Sequence, residues 1–282
     1  MSQASLAFSV MVFGVKMATA SLPALEVVFL RSLLGSLMIG ALIFQKKDSF
    51  FGKEKKRLLI LRGISGFLAL TLHFYTISIL PVGTAVILNY TGPIFVAILA
   101  ALFLGEKPGK FLRVMILLSF SGVYLLIRPE FRADPSLGMA LFLALFSGFL
   151  SAIAVLSIRA VGFRESPLTI IFSFTATSTI GSLFYLPFGF KWPNALEWLA
   201  IALVAGGSFY GQLWMTLSYR KAPASLVSPF AYLTPLISFL MGLLFWGESL
   251  TPRNMAGVVL VILGGTLISI VEGMRGRTAS IQ

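Results

Sequence analysis

The chain has 282 residues and no cysteine, which excludes disulfides, thiolate metal sites and cysteine nucleophiles. It has one histidine and ten acidic residues, too few to expect a cluster of acids and metal ligands. Charged residues make up 11% of the chain, against about 25% in an ordinary soluble domain. Hydrophobic residues make up 57%, and the mean hydropathy is +0.94. The composition therefore predicts an integral membrane protein without a sizeable soluble domain.

The net charge of +12 does not indicate a nucleic-acid partner. The basic residues lie in short loops between apolar runs, so no basic face long enough to follow a duplex remains. We expect no cofactor and no metal site. The first apolar run starts at Ser5 without a charged leader or a cleavage site, which predicts a retained helix.

Ten apolar runs are bounded by Gly, Pro and charge clusters and predict ten membrane helices, of which the first is short. The fold class is therefore an all-α membrane protein with ten transmembrane helices. The predicted helices are 5–20, 23–44, 58–79, 82–104, 110–127, 137–158, 167–189, 195–219, 223–246 and 253–271. Several loops, such as residues 80–82, are short enough to make consecutive helices antiparallel neighbours.

Orientation follows from the loops, because Lys and Arg accumulate on the cytoplasmic side. With the N-terminus inside, four basic residues fall in outside loops: Arg128, Arg132, Lys191 and Arg253. Two more basic residues, Lys16 and Arg31, lie within helices. The remaining sixteen of the twenty-two, Arg62 included, are counted in the loops on the cytoplasmic side. Both termini are predicted to be cytoplasmic, as an even number of spans requires, in a multi-pass protein of the bacterial inner membrane.

An internal repeat divides the ten helices. A shift of 142 positions aligns the two halves without a gap, and the matched pairs include Pro81 with Pro223, Tyr90 with Tyr232, Pro93 with Pro235, and Gly105-Glu106 with Gly247-Glu248. Each half holds five spans, so the second half enters the membrane from the opposite side. Inverted repeats of this kind are typical of secondary transporters, with a substrate site at the repeat interface.

The matched prolines interrupt the predicted fourth and ninth helices. Pro93 and Pro235 each remove a backbone donor and leave a carbonyl without its helical partner. They are packing kinks, or hinges that face a central cavity and open it.

Motifs in both halves resemble one known family. The segments are 74–78, 89–93 and 104–107 in the first half, and 217–232 and 245–248 in the second. They resemble the drug/metabolite transporter superfamily, specifically its ten-helix members with tandem EamA domains, here residues 1–130 and 131–282. Lys16, Pro23 and Arg31 sit where that family often has Lys, Pro and Arg. Phe13-Gly14 departs from the Trp-Gly pair of many members. The resemblance implies transport, more often export than uptake, of amino acids, nucleoside-like metabolites or amphipathic compounds through a central cavity.

Polar groups inside the predicted spans are candidate substrate contacts, since they are costly in a membrane. Lys16 either snorkels to the interface or binds a carboxylate. Arg31 forms a structural pair or contacts substrate. His73, the single histidine, carries protons or binds substrate, or else satisfies a neighbour such as Asn89. Glu106 and Glu248 lie at helix ends, which favours capping or loop pairing.

Aromatic side chains supply the remaining candidates. Tyr210 and Trp214 share one helix face, on which they stack a substrate or simply pack, while Gln212 points away from them. Tyr90 and Tyr232 occupy equivalent places in the two halves, and Tyr232 ranks first among the aromatics.

The predicted function is a secondary transporter, an exporter or exchanger of amino acids or related zwitterionic or amphipathic metabolites. The alternatives are transport of an organic cation such as S-adenosylmethionine, a lipid-modifying membrane enzyme, and a purely structural protein. The lack of an acid at the centre of any span favours exchange without an ion gradient, or weak proton coupling through His73. The expected partners are a small-molecule substrate and membrane lipid, with the chain a monomer or homodimer.

Overall fold

The structure is a computed structural model that describes residues 1–103, 110–133, 135–162, 164–221, 228–248 and 251–279. These residues form α-helices and two short 3-10 segments, Leu186–Phe188 and Ser228–Tyr232, with no strand among them. The helices are α1 Ser2–Ala18, α2 Ala24–Lys46, α3 Lys56–Ile79, α4 Val82–Asn89, α5 Gly92–Phe103, α6 Lys110–Ala133, α7 Pro135–Val161, α8 Pro167–Leu183, α9 Ala195–Lys221, α10 Leu233–Trp246 and α11 Pro252–Ala279.

Five of these helices, α2, α3, α7, α8 and α9, are long and apolar enough by themselves to cross a membrane. Five shorter apolar segments, 2–18, 82–96, 113–126, 230–246 and 252–267, complete a set of ten. The fold is therefore the predicted all-α, ten-helix membrane bundle. The predicted start of the ninth helix, 223–227, lies outside the described residues, as does Glu106.

Helix contacts follow the internal repeat. Equivalent helices of the two halves pack on each other, as α2 does with α8, α4 with α10, and α6 with α11. The first helix of each half instead packs on the third helix of the other, which pairs α1 with α9 and α7 with α3. The two inverted halves thus share one extensive interface with a pseudo-two-fold relation.

Small residues let these helices approach closely, as expected where lipid gives no hydrophobic drive for association. A Cβ on Gly14 of α1 would lie 2.8 Å from the Ala200 carbonyl oxygen of α9. Gly122 of α6 and Gly257 of α11 face each other in the same way. Larger side chains at these positions would push the paired helices apart.

Both predicted breaks are present. The fourth span divides at Tyr90 and Thr91, and Pro93 follows in the first turn of α5. In the ninth span, the 3-10 segment Ser228–Tyr232 precedes α10, whose third residue is Pro235. Each proline therefore lies near the start of a helix segment, where the missing N–H costs least, and the break precedes it.

Each break is held by the first helix of the other half. Ser5 Oγ of α1 donates to the Phe230 carbonyl at 2.8 Å. Its counterpart Ser147 of α7 accepts a hydrogen bond from Asn89 Nδ2 at 2.8 Å. Ser5 and Ser147 are separated by the repeat offset of 142, so the bracing obeys the same symmetry.

Candidate functional site

A cavity of about 220 Å³ lies between the two halves of the bundle. Helices of both halves line it, including α1, α2, α3 and the broken α4 from the first, and α7, α8 and α9 from the second. Most of its wall is apolar, with a few polar and cationic side chains. This is the usual composition of a small-molecule site, in which a few polar groups set specificity.

Two arginines from the first half meet over one aromatic ring of the second half. The guanidinium carbon of Arg62 in α3 lies 4.4 Å from the ring centroid of Phe174 in α8, and that of Arg31 in α2 lies 5.2 Å from it. Both arginines are almost fully buried, with exposed fractions of 2% for Arg31 and 4% for Arg62. Such cation–π contacts stabilise a buried guanidinium without removing its need for an anion.

Gly66 makes room for this arrangement. It lies one helical turn after Arg62, and a Cβ there would overlap Arg62 Nη1 and lie 2.8 Å from the Phe174 ring. Arg62 Nη2 also donates to Gln212 Oε1 of α9, at a long 3.4 Å. The Nε atoms of Arg31 and Arg62 have no hydrogen-bond partner within the described chain.

A neutral polar wall adjoins the arginines. His73 of α3 lines the cavity, and its Nδ1 is buried without a partner among the described residues. Asn89 also lines the cavity but donates to Ser147 and Ser151, so the expected pairing of Asn89 with His73 does not form. Tyr90 completes this wall at the break of the fourth span.

The cavity extends toward the end of the bundle that holds the N-terminus. Met1 and the exposed Arg159, near the end of α7, belong to its lining. At the opposite end, Lys16 Nζ donates to the carbonyls of Ile77 and Leu80 at 3.0 and 2.9 Å, which caps the end of α3.

Glu248 closes the same end. Both of its carboxylate oxygens accept from the Val82 N–H at 2.9 Å, so a residue of the second half caps α4 of the first. Ser21 Oγ donates to Glu197 Oε1 at 2.5 Å, which ties the turn after α1 to the start of α9. The capping expected for Glu248 is present.

A third carboxylate braces the end near the cavity mouth. Glu165 Oε1, in the loop between α7 and α8, accepts from the N–H groups of Lys53, Glu54 and Lys55 at 2.8, 2.7 and 3.1 Å. These donors precede the first residue of α3. Burial raises the pKa of the Glu165 carboxyl, but the backbone donors and the nearby Lys53 outweigh it and hold that pKa below its usual range.

The structure brings only part of the predicted set to the cavity. Arg31, His73, Asn89 and Tyr90 line it. Lys16 is at the capped end, and Tyr210 is 49% exposed on the outer surface, with its ring 5.3 Å from Trp214. These two and Trp214 are not among the residues that line this cavity, so their role as substrate contacts stays a prediction.

Tyr232, the first-ranked aromatic, is not among the lining residues of this cavity either. It is 2% exposed and packs behind the cavity wall, with its ring centroid 6.4 Å from that of Tyr90. A Cβ on Gly265 of α11 would overlap its hydroxyl, so Tyr232 occupies a fitted packing position.

Sequence reasoning missed Arg62, Gln212 and Phe174. The loop count places Arg62 on the cytoplasmic side, but it falls inside the predicted third helix and is buried in the structure. Gln212 was noted only as facing away from Tyr210 and Trp214, and that opposite face is the cavity. Polarity inside an apolar span was the available signal for both.

No group of three potential metal ligands occurs among the described residues. No Asp or Glu is found among the residues that line the cavity in the described part of the chain. The site is thus cationic, with neutral donors and acceptors beside two arginines.

Comparison with known proteins assigns this helical bundle to a family. The EamA-like transporter family matches residues 2–128 and again 138–270. The chain belongs to this family. As an EamA-like protein it is a multi-pass membrane transporter of small molecules and not an enzyme.

Two bacterial relatives are exporters by name. The chain is 31% identical over 267 residues to the pseudopaline exporter CntI of Pseudomonas aeruginosa (strain UCBPP-PA14), covering 94% of this chain and 93% of that one. It is 28% identical over 252 residues to the threonine/homoserine exporter RhtA of Escherichia coli (strain K12), covering 84% and 80%. The EamA-like chain is therefore similar to transporters along nearly its whole length.

A mammalian relative and a solved structure extend the comparison. The mouse solute carrier family 35 member G1 is 24% identical over 268 residues, covering 90% of this chain and 73% of that one. A crystal structure with 17% identity superposes with a TM-score of 0.67 and covers 98% of this chain and 99% of the other. At this identity, the crystal structure supports the fold of the EamA-like chain and not its function.

Proposed function

We propose that this protein exports a small zwitterionic or anionic metabolite, such as an amino acid, by alternating access at the central cavity. The observation that carries the proposal is a cavity lined by both inverted halves, in which Arg31 and Arg62 are buried without a carboxylate partner among the described residues. Buried cations in a membrane protein mark a substrate pathway when no internal acid neutralises them.

The ends of the bundle support alternating access. The cavity reaches the end that holds Met1 and Arg159, whereas Lys16 and Glu248 tie helices together at the other end. With Arg62 moved from the loops to the cavity, the loop charges still divide fifteen to four in favour of the N-terminal side. The mouth therefore faces the cytoplasm under the positive-inside rule, and export requires the capped end to open.

Coupling follows from what lines the cavity. No described lining residue is an acid, so the described wall of the cavity offers no carboxylate to carry a proton or sodium ion with the substrate. We infer that exchange proceeds without an ion gradient. The organic-cation alternative has less support, since Tyr210 and Trp214 are not among the lining residues and none of the described lining residues is an acid that would pair with a cation.

Counterflow in proteoliposomes tests this function. The purified full chain is reconstituted with an unlabelled amino acid inside, and entry of the same labelled amino acid is followed for a panel that covers acidic, neutral and basic side chains. We expect transient accumulation of acidic or neutral members at equal pH on both sides. Liposomes without protein serve as the control. Counterflow that requires a pH gradient would contradict the proposed coupling, and its absence for the whole panel would contradict the proposed function.

A further inference from the structure

Resting on the proposed function, we propose that Arg31 and Arg62 together bind a small dicarboxylate, an acidic amino acid included, and so select substrates that carry two carboxylates. The proposal names the substrate class of the central cavity. It depends on charge, on geometry and on size.

The charge argument starts from two buried guanidiniums. Arg31 and Arg62 are withdrawn from water, and neither forms an ion pair in the described part of the chain. Their Nε atoms are both without partners there, and the long bond from Arg62 to Gln212 brings no negative charge. A buried cation is tolerated when a partner carries the opposite charge. An occupant with two carboxylates supplies one for each arginine.

The geometry lets one molecule reach both. Each guanidinium carbon is measured from the same Phe174 centroid, at 4.4 and 5.2 Å, so the two carbons are no more than 9.6 Å apart. Carboxylates bind arginine through planar, often bidentate hydrogen bonds, which the partnerless Nε atoms are able to donate. Phe174 holds both guanidiniums in place between binding events.

Size and the remaining wall narrow the class further. A cavity of about 220 Å³ is smaller than the ~300–1,000 Å³ of sites for drug-sized ligands, which favours a short carbon skeleton. Asn89, Tyr90 and His73 line the same cavity and offer neutral polar contacts for an amino or hydroxyl group. A substrate with a single carboxylate would leave one arginine without an anion.

Competition in the wild-type protein tests the class without any variant. Proteoliposomes that contain the full chain are assayed for counterflow of labelled aspartate and labelled succinate, each challenged with excess succinate, butyrate, threonine or inorganic phosphate. We expect succinate to inhibit at least about tenfold more strongly than butyrate, which has the same number of carbons and one carboxylate fewer. Phosphate as the strongest inhibitor would overturn the dicarboxylate assignment in favour of an inorganic anion. Counterflow of threonine without counterflow of aspartate or succinate would overturn it while leaving the proposed function intact.

Variants then locate the site. Arg31→Gln and Arg62→Gln should each raise the KM for succinate by about ten- to a hundredfold, since each removes one charged hydrogen-bonding partner. Arg164→Gln is the matched control, because Arg164 is exposed in the loop between α7 and α8 and pairs only with the exposed Glu54. The thermal unfolding midpoint of each variant in detergent, compared with that of the wild type, reports whether it has folded. An unchanged ratio of succinate to butyrate inhibition in both cavity variants would overturn the assignment.

Discussion

The two halves of this transporter share one helix arrangement but contribute different side chains to the cavity. At the repeat offset of 142, Arg31 and Arg62 of the first half correspond to Ser173 and Val204 of the second. Ser173 bonds to its own helix, and Val204 is fully buried against α1. The paired helices obey a two-fold relation, whereas the charges of the cavity do not.

The second half contributes carboxylates that hold the first. Glu248 caps α4 at one end of the bundle, and Glu165 caps the start of α3 at the other. The first half thus supplies the buried arginines, and the second half caps two of its helices, of which α3 carries Arg62. The helix contacts are symmetric, whereas both arginines of the cavity belong to the first half.

Outside the two arginines, the largest expected effect is that of Gly66→Ala. The counterpart of Gly66 at the repeat offset is Ser208. Gly66→Ala would place a methyl group against Arg62 Nη1 and the Phe174 ring, so the guanidinium must move. We expect a loss of transport of about tenfold, equivalent to about 1.4 kcal/mol of binding. Initial counterflow rates at matched protein levels measure the loss.

Ser208→Ala is the matched control. Ser208 Oγ is buried in the cavity wall with no partner among the described residues, so its removal costs little. Equal losses in Gly66→Ala and Ser208→Ala would contradict the asymmetry, because both halves would then contribute equally to the site.

The framework was predictable from the sequence because hydrophobic length and repeated prolines report it directly. Helix ends agree to within a few residues for most spans, and the break in the fourth span falls just before Pro93, where the missing donor predicts it. The cavity was harder, since the face that a helix turns inward depends on its neighbours. Every span here is apolar on most sides, so hydrophobic periodicity cannot orient it.

Arg62 illustrates the limit. It follows the basic pair Lys56 and Arg57, and a basic run before a span is typical of a cytoplasmic loop. Its burial depends on Phe174, more than a hundred positions away, and on the space above Gly66. A glycine one turn from a lone arginine was the local signal, but only the tertiary structure shows what fills the space.

A smaller effect is expected on stability when the Glu165 carboxylate, which accepts hydrogen bonds at the start of α3, is neutralised. Glu165→Gln removes a charged acceptor from three backbone donors, and we expect a loss of about 1–3 kcal/mol in stability near neutral pH. The folded pKa is depressed, so this contribution is present above the unfolded value of about 4.3 and is lost as pH falls through the folded pKa.

Thermal unfolding in detergent over a pH series measures the difference between wild type and Glu165→Gln. The gap should be constant near neutral pH and shrink below about pH 4.3. Glu54→Gln is the control, since its exposed pair with Arg164 contributes little. A gap that widens on acidification would contradict the role of Glu165 as an ionised cap.

The smallest expected effects are those of Ser5→Ala and Ser147→Ala. The two serines occupy equivalent places in the repeat, and each hydrogen-bonds to one of the two helix breaks. Ser5→Ala removes a bond to the Phe230 carbonyl, and Ser147→Ala removes the acceptor that orients Asn89. Each should cost about 0.6 kcal/mol, the average for side-chain hydrogen bonds between membrane helices. Ser147 orients the side chain of Asn89, which lines the cavity, whereas Ser5 donates to the backbone of Phe230, which is not a lining residue. Ser147→Ala should therefore raise the KM for substrate more than Ser5→Ala does. The second-half break contributes Ala231 to the cavity wall. If Ser5→Ala changed the KM as much as Ser147→Ala, the two breaks would contribute equally to binding, and the functional division between the halves would not extend to their broken helices.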